Sequence, residues 1–261
     1  MAADPLQVEL DERRAGGRKL LIPYVMAGQC EDWLDVLRAI AEAGADAIEV
    51  GLPFSDPILD GPVIQQAALT SLERGTTPAG ALAQLAGADI GVPLVVMTYY
   101  NLIFRGGLER MAGRLREAGV SGVILPDLSL EELDPWATAA RAAELSTVLL
   151  VAPSTSAART EQICQRAQGF VYAVGRMGVT GERASLGDEG LEVIAKVRPH
   201  TGLPICMGIG VSNAEQASQV VSTADGAVVG SALVRRLAEG QGPEGAARFV
   251  AELRAGVDGA I

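Results

Sequence analysis

Short apolar runs alternate with stretches of helical spacing along almost the whole chain. Residues 20–26 are unbroken, Leu-Leu-Ile-Pro-Tyr-Val-Met, and Gly28 closes them. Apolar positions then recur at Trp33, Leu34, Leu37, Ile40 and Ala41 until Gly44, the spacing of one helix face. The same unit repeats. Further strands are predicted at 46–50, 93–98, 122–125, 147–151, 170–174, 203–207 and 226–229. Helices are predicted at 62–73, 78–85, 107–118, 131–143, 157–167, 188–197, 213–221 and 232–238. A last helix spans 243–254 and a short leading one 5–15.

Strands that read as continuous Val, Ile and Leu belong to a parallel sheet covered by helices. Eight such units in 261 residues fit the α/β class and the size of a (β/α)8 TIM barrel. An open doubly wound sheet competes, but it normally carries Gly-x-Gly-x-x-Gly after its first strand. Here Ala27-Gly28-Gln29-Cys30 stands at that place. No linker or low-complexity segment divides the chain. Residues 1–261 therefore read as a single barrel domain with an extra N-terminal helix.

One stretch breaks the apolar rule. Glu49 sits inside the second strand, between Ile48 and Val50, and a loop rich in Pro, Gly and Asp follows: Leu52-Pro53-Phe54-Ser55-Asp56-Pro57-Ile58-Leu59-Asp60-Gly61-Pro62. An ionised carboxylate among apolar neighbours is costly. Either a distant Lys or Arg pairs with Glu49, or its pKa is raised and it is poised to transfer protons.

Composition narrows the chemistry. With 49% hydrophobic and 20% charged residues, the chain reads as a soluble globular protein. No apolar run approaches a membrane span, and the first ten residues lack a basic-then-apolar leader, so a cytoplasmic protein is expected. A net charge of −11 argues against nucleic acid, and an anionic ligand would need local help from backbone amides. Cys30, Cys164 and Cys206 are scattered and read as free thiols of a reducing compartment. His200 is the only histidine, which rules out a multi-histidine metal site; at the end of a helical pattern it reads as a C-terminal cap. No metal is expected.

In a barrel, functional groups collect at the C-terminal ends of the strands. Glu49, Asp60, Tyr24, Tyr99, Asp127 and Tyr172 would share that face. So would three glycine features: Thr180-Gly181 after the sixth strand, Gly208-Ile209-Gly210 after the seventh, and Gly230-Ser231 at a helix start after the eighth. Glycines let backbone amides approach an anion, and a helix N-terminus adds a favourable dipole. Together they predict a phosphate cradle. The loop over 175–189 reads as a lid over the barrel mouth.

These motifs resemble the tryptophan synthase α subunit family over nearly the whole chain. The most specific part runs from Glu49 to Gln65, E-V-G-L-P-F-S-D-P-I-L-D-G-P-V-I-Q. Arg176-Met177-Gly178-Val179-Thr180-Gly181, Gly208-Ile209-Gly210-Val211-Ser212, Gly230-Ser231-Ala232, Tyr99-Tyr100-Asn101 and Pro126-Asp127-Leu128 match further motifs of that family. Departures stand at Gln29-Cys30, Ser129 and Ile209.

The resemblance implies a lyase of L-tryptophan biosynthesis that cleaves indole-3-glycerol phosphate to indole and glyceraldehyde 3-phosphate. It implies Glu49 as the acid/base that protonates the indole C3 and Asp60 as the partner of the indole N–H. Tyr24, Tyr99, Tyr172, Thr180 and Ile209 would line the indole pocket; Gly181, Gly210, Gly230 and Ser231 would hold the phosphate. It implies no cofactor in this subunit, and an αββα heterotetramer with a β subunit that uses pyridoxal phosphate and receives the indole. Three alternatives stand beside it: a stand-alone lyase, a binding subunit that only activates the β partner, and a sugar-phosphate epimerase or isomerase. The last often needs metal-binding histidines or a catalytic lysine, and this chain has His200, Lys19 and Lys196 alone.

Overall fold

The computed structural model describes residues 4–175, 177–180, 183–186, 188–208 and 210–259. Eight strands close into a parallel barrel. In order around it they are β1 (Leu20–Met26), β10 (Gly226–Val229), β9 (Ile205–Gly208), β6 (Val171–Val174), β5 (Ser146–Val151), β4 (Val120–Ile124), β3 (Leu94–Met97) and β2 (Ile48–Gly51). The barrel expected from the sequence is therefore present.

Around it pack α2 (Trp33–Glu42), α3 (Pro62–Glu73), α4 (Pro78–Ala86), α6 (Leu108–Glu117), α7 (Leu133–Ala142), α8 (Ala157–Arg166), α9 (Asp188–Val197), α10 (Ala214–Val221), α11 (Ser231–Ala238) and α12 (Gly242–Asp258). Several start where a short polar side chain accepts a backbone N–H of the first turn. Thr77 caps Gly80 at 3.0 Å, Asn213 caps Gln216 at 2.9 Å and Ser156 caps Arg159 at 3.3 Å.

Side chains alternate across each strand, so each strand serves two cores. On β2, Ile48 and Val50 belong to the large outer cluster against the helices. Ala47 and Glu49 turn the other way, and Ala47 joins the barrel interior with Ile22, Val95, Ile124, Val148 and Cys206. The lower mouth is stoppered by α1 (Pro5–Arg13), whose Leu6 and Leu10 enter that interior cluster with no exposed surface. Asp4 anchors this plug by accepting hydrogen bonds from the Ser146 hydroxyl and, at 2.7 Å, from the Gly169 N–H.

The expected strand over 46–50 starts later than the sequence suggests, because Asp46 is a structural ion rather than a strand residue. Buried, it accepts from Leu21 N at 2.8 Å, Arg254 Nη1 at 2.9 Å and Arg18 Nε at 3.1 Å. Arg254 carries this clamp on α12, which runs past the end expected at residue 254.

A helix and a two-stranded ribbon were not foreseen. A short helix, α5 (Tyr100–Gly106), follows β3. Within the segment read as a lid, β7 (Met177–Thr180) and β8 (Arg183–Leu186) pair as an antiparallel ribbon. The segment after β6 thus carries secondary structure of its own.

Candidate active site

Glu49 stands in register with Tyr24 of β1 on one side and Val95 of β3 on the other. It is 1% exposed, and its Oε2 has no hydrogen-bond partner among the described residues. Among the described residues no Lys or Arg pairs with it. Burial, and then the charge of Asp60, push its carboxyl up to about 8. A buried acid with a spare oxygen and that pKa holds its proton near neutrality and can still give it away.

Asp60 lies on the loop between β2 and α3. Its carboxyl is raised by burial and lowered by the hydrogen bond from Tyr99. Glu49 and Asp60 line one cavity of about 190 Å³ with Tyr24, Ile64, Met97, Tyr172, Gly208, Gly210, Val228, Gly230 and Ser231. Five of the nine sequence-predicted site residues other than this acidic pair thus meet it: Tyr24, Tyr172, Gly210, Gly230 and Ser231. One wall of the cavity is apolar and aromatic, and another is glycine.

Tyr24 and Tyr172 flank it in the same way. Each hydroxyl lies over a glycine of a neighbouring strand: a Cβ at Gly51 would fall 1.9 Å from Tyr24 Oη, and one at Gly208 would fall 2.5 Å from Tyr172 Oη. Both phenols are held well above their usual range, by burial first and then by Glu49. They stay neutral beside the acidic pair.

Beside Tyr24, Gly230 caps α11 and Ser231 opens it. Gly210 adopts a φ of +83°, the left-handed conformation that glycine allows, just ahead of the α10 cap Asn213. Amides converging at a helix start suit an anion.

Tyr99 lines a small adjoining hollow that shares Tyr24, Asp60 and Met97 with this cavity, and Asp60 Oδ2 accepts from its phenol at 3.1 Å. Asp127 supports the rim by accepting from Tyr100 N at 2.8 Å, at the start of α5. Gly181 and Ile209 lie outside the described residues, as does the side chain of Thr180. Met97, Ile64 and Val228 line the cavity and were not singled out from the sequence; the inward register of Val95 and Met97 was the available signal for one of them.

Other polar features lie elsewhere. A hollow of about 460 Å³ between the loops after β4 and β5 has one charged lining group, Arg159, already paired with Glu131. His200 sits in a short turn after α9, on the side where β9 begins. Lys19 and Lys196 donate to backbone carbonyls at 2.9 Å, of Ala224 and Pro153. Among the described residues no group of three or more His, Cys, Asp or Glu could hold a metal, and no helix is long and apolar enough to cross a membrane.

A closed parallel barrel with a cavity holding two carboxyls at the C-terminal ends of its strands defines a (β/α)8 barrel protein, and that is the class of this chain. Its family follows from comparison. The family model described as tryptophan synthase alpha chain matches residues 10–259, and the chain belongs to that family. It is 43% identical to the tryptophan synthase alpha chain of Streptomyces avermitilis over 254 residues, 94% of this chain and 92% of the relative. It is 44% identical to that of Methanosarcina mazei over 235 residues, 89% and 85% of the two chains. Among solved structures, Mycobacterium tuberculosis tryptophan synthase superposes with a TM-score of 0.89 at 38% identity, covering 98% of each chain. The alpha subunit from Legionella pneumophila does so with 0.87 at 30% identity, covering 99% of this chain and 100% of that one.

Proposed function

We propose that this chain is a carbon–carbon lyase that cleaves indole-3-glycerol phosphate to indole and glyceraldehyde 3-phosphate, with Glu49 moving both protons. The observation that carries the assignment is the buried Glu49 carboxyl, with its unpartnered oxygen, in the cavity it shares with Asp60 and the Gly230-Ser231 helix start.

Protonated Glu49 gives its proton to C3 of the indole ring. The ring takes on positive charge at N1, where ionised Asp60 faces it and stabilises it. Glu49, now a carboxylate, takes the proton of the glycerol hydroxyl beside C3. The bond between C3 and the glycerol chain breaks, its electron pair returns to the ring, and the aldehyde forms. Glu49 ends protonated, as it began. No step calls for a metal or organic cofactor in this subunit. Tyr24, Tyr172, Ile64 and Met97 pack the ring, with Thr180 and Ile209 completing the wall. Gly210, Gly230, Ser231 and Gly181 hold the phosphate through amides and a hydroxyl.

The same reading supplies a partner. Ile58 and Leu59, on the loop that carries Asp60, are 83% and 55% exposed, and Phe104 of α5 is 63% exposed. Large apolar side chains at a rim mark a docking surface. A pyridoxal-phosphate-dependent β subunit seated there, in an αββα heterotetramer in the cytoplasm, would receive indole from the mouth it covers. An indole-release assay on the purified chain, with and without a β subunit, tests this. Release from indole-3-glycerol phosphate that rises with the β subunit is expected. No release under either condition would reduce the chain to a binding subunit, and release unchanged by the β subunit would make it a stand-alone lyase.

A further inference from the structure

We propose that Tyr99 is a positioning residue, whose phenol aims the Asp60 carboxylate into the cavity and ties its loop to the end of β3. The inference rests on the role given to Asp60 above and adds the group that sets its geometry.

Tyr99 is buried two residues past the end of β3, just after Thr98, whose N–H donates to Ile124 O of β4 at 3.1 Å. Its oxygen donates to Asp60 Oδ2 at 3.1 Å and accepts from Leu59 N at 2.9 Å. Its ring stacks on Phe54, with centroids 4.9 Å apart and planes 27° from parallel. One side chain from the third strand–helix unit thus grips the loop of the second at Phe54, Leu59 and Asp60.

Gln65 of α3 holds the same loop, but only by its carbonyls, donating to Pro57 O at 3.2 Å and Asp60 O at 2.9 Å. Among the described residues Tyr99 alone donates from a side chain to the Asp60 carboxylate. It occupies one oxygen and leaves the other for a developing cation. A phenol that accepts from an amide also becomes a stronger donor, so the two bonds reinforce each other. Burial pushes the Tyr99 phenol up to about 12, so it remains a donor over the working range. The other titratable groups lining the cavity with Asp60 are Glu49, Tyr24 and Tyr172.

Tyr99→Phe keeps the ring stack and removes only the oxygen. The expected result is a fall in kcat of roughly ten- to a hundredfold with KM changed by less than about threefold, the size of effect that a small misplacement of a reacting group produces. The acidic limb of the kcat profile should move to higher pH, because Asp60 loses the bond that lowers its pKa. A 13C titration of the labelled Asp60 carboxyl should move the same way, and this readout does not depend on turnover. Tyr99→Phe added to Asp60→Asn should cost nothing beyond Asp60→Asn alone. An unmoved Asp60 titration, or a KM raised more than tenfold at unchanged kcat, would overturn the positioning role. If Asp60→Asn itself keeps full turnover, the catalytic reading of Asp60 fails instead, and the titration still decides the contact.

Discussion

Tyr24 and Glu49 face each other in register on neighbouring parallel strands, and both line the cavity at the C-terminal mouth. Desolvation, more than any charge, sets the acid's behaviour.

That has consequences for pH. Glu49 ionises near 4.5 when free and near 8 in the folded chain, so the folded state holds an extra proton between those values. Its contribution to stability is complete below the unfolded pKa and is lost as pH rises through 8, by up to a few kcal/mol. Glu49→Gln should match the wild type in urea unfolding near pH 5 and exceed it near pH 9. Turnover of the wild type should fall above pH 8 as the donor is lost. Asp60→Asn removes the second cause of the shift, so Glu49 should titrate at lower pH there. Stability curves of wild type and Glu49→Gln that stay parallel from pH 5 to 9 would refute the raised pKa.

The anion end of the cavity is tested at Gly230. A Cβ there meets only Tyr24, at 3.7 Å, an ordinary contact, and the backbone conformation has negative φ. Gly230→Ala should therefore fold and bind with little change. Gly230→Asp sets a carboxylate against the phosphate and should weaken glycerol phosphate binding at least tenfold, the scale of about 1.4 kcal/mol of charge repulsion. Calorimetry with glycerol phosphate reads both, and equal affinities for Asp and Ala variants would rule out the cradle.

The stopper at the lower mouth makes a separate claim about stability. Leu6 is fully buried inside the barrel, and Leu6→Ala should cost about 2–5 kcal/mol in denaturant unfolding. The site lies at the other mouth, so turnover of the folded variant should change by less than twofold. A loss under about 1 kcal/mol would show that the leading helix merely rests on the surface.

Most of the architecture could be read from the chain because parallel strands and their covering helices are written in local periodicity. Glu49 was conspicuous for the same reason, as an acid inside an apolar run. What stayed hidden depends on long-range partners. Asp46 reads as the start of a strand until Arg254, 208 residues away, is seen to clamp it. Nothing local to Tyr99 shows that its hydroxyl lies on Asp60, 39 residues back. The helix α5 is seven residues long, too short for a full turn-by-turn pattern to stand out. Gly51 reads as an ordinary strand-end glycine and Gly208 as part of the phosphate cradle; only the tyrosine hydroxyls lying over them reveal why no side chain fits.

The account turns on the proton that Glu49 delivers to an aromatic carbon. The most direct measurement is single-turnover indole release by Glu49→Gln, beside equilibrium binding of glycerol phosphate to the same variant. Glutamine keeps the shape and removes the titratable proton. A drop in rate of roughly three orders of magnitude or more, with affinity within about threefold of the wild type, is the expected result. A variant that releases indole at near the wild-type rate would contradict the central claim.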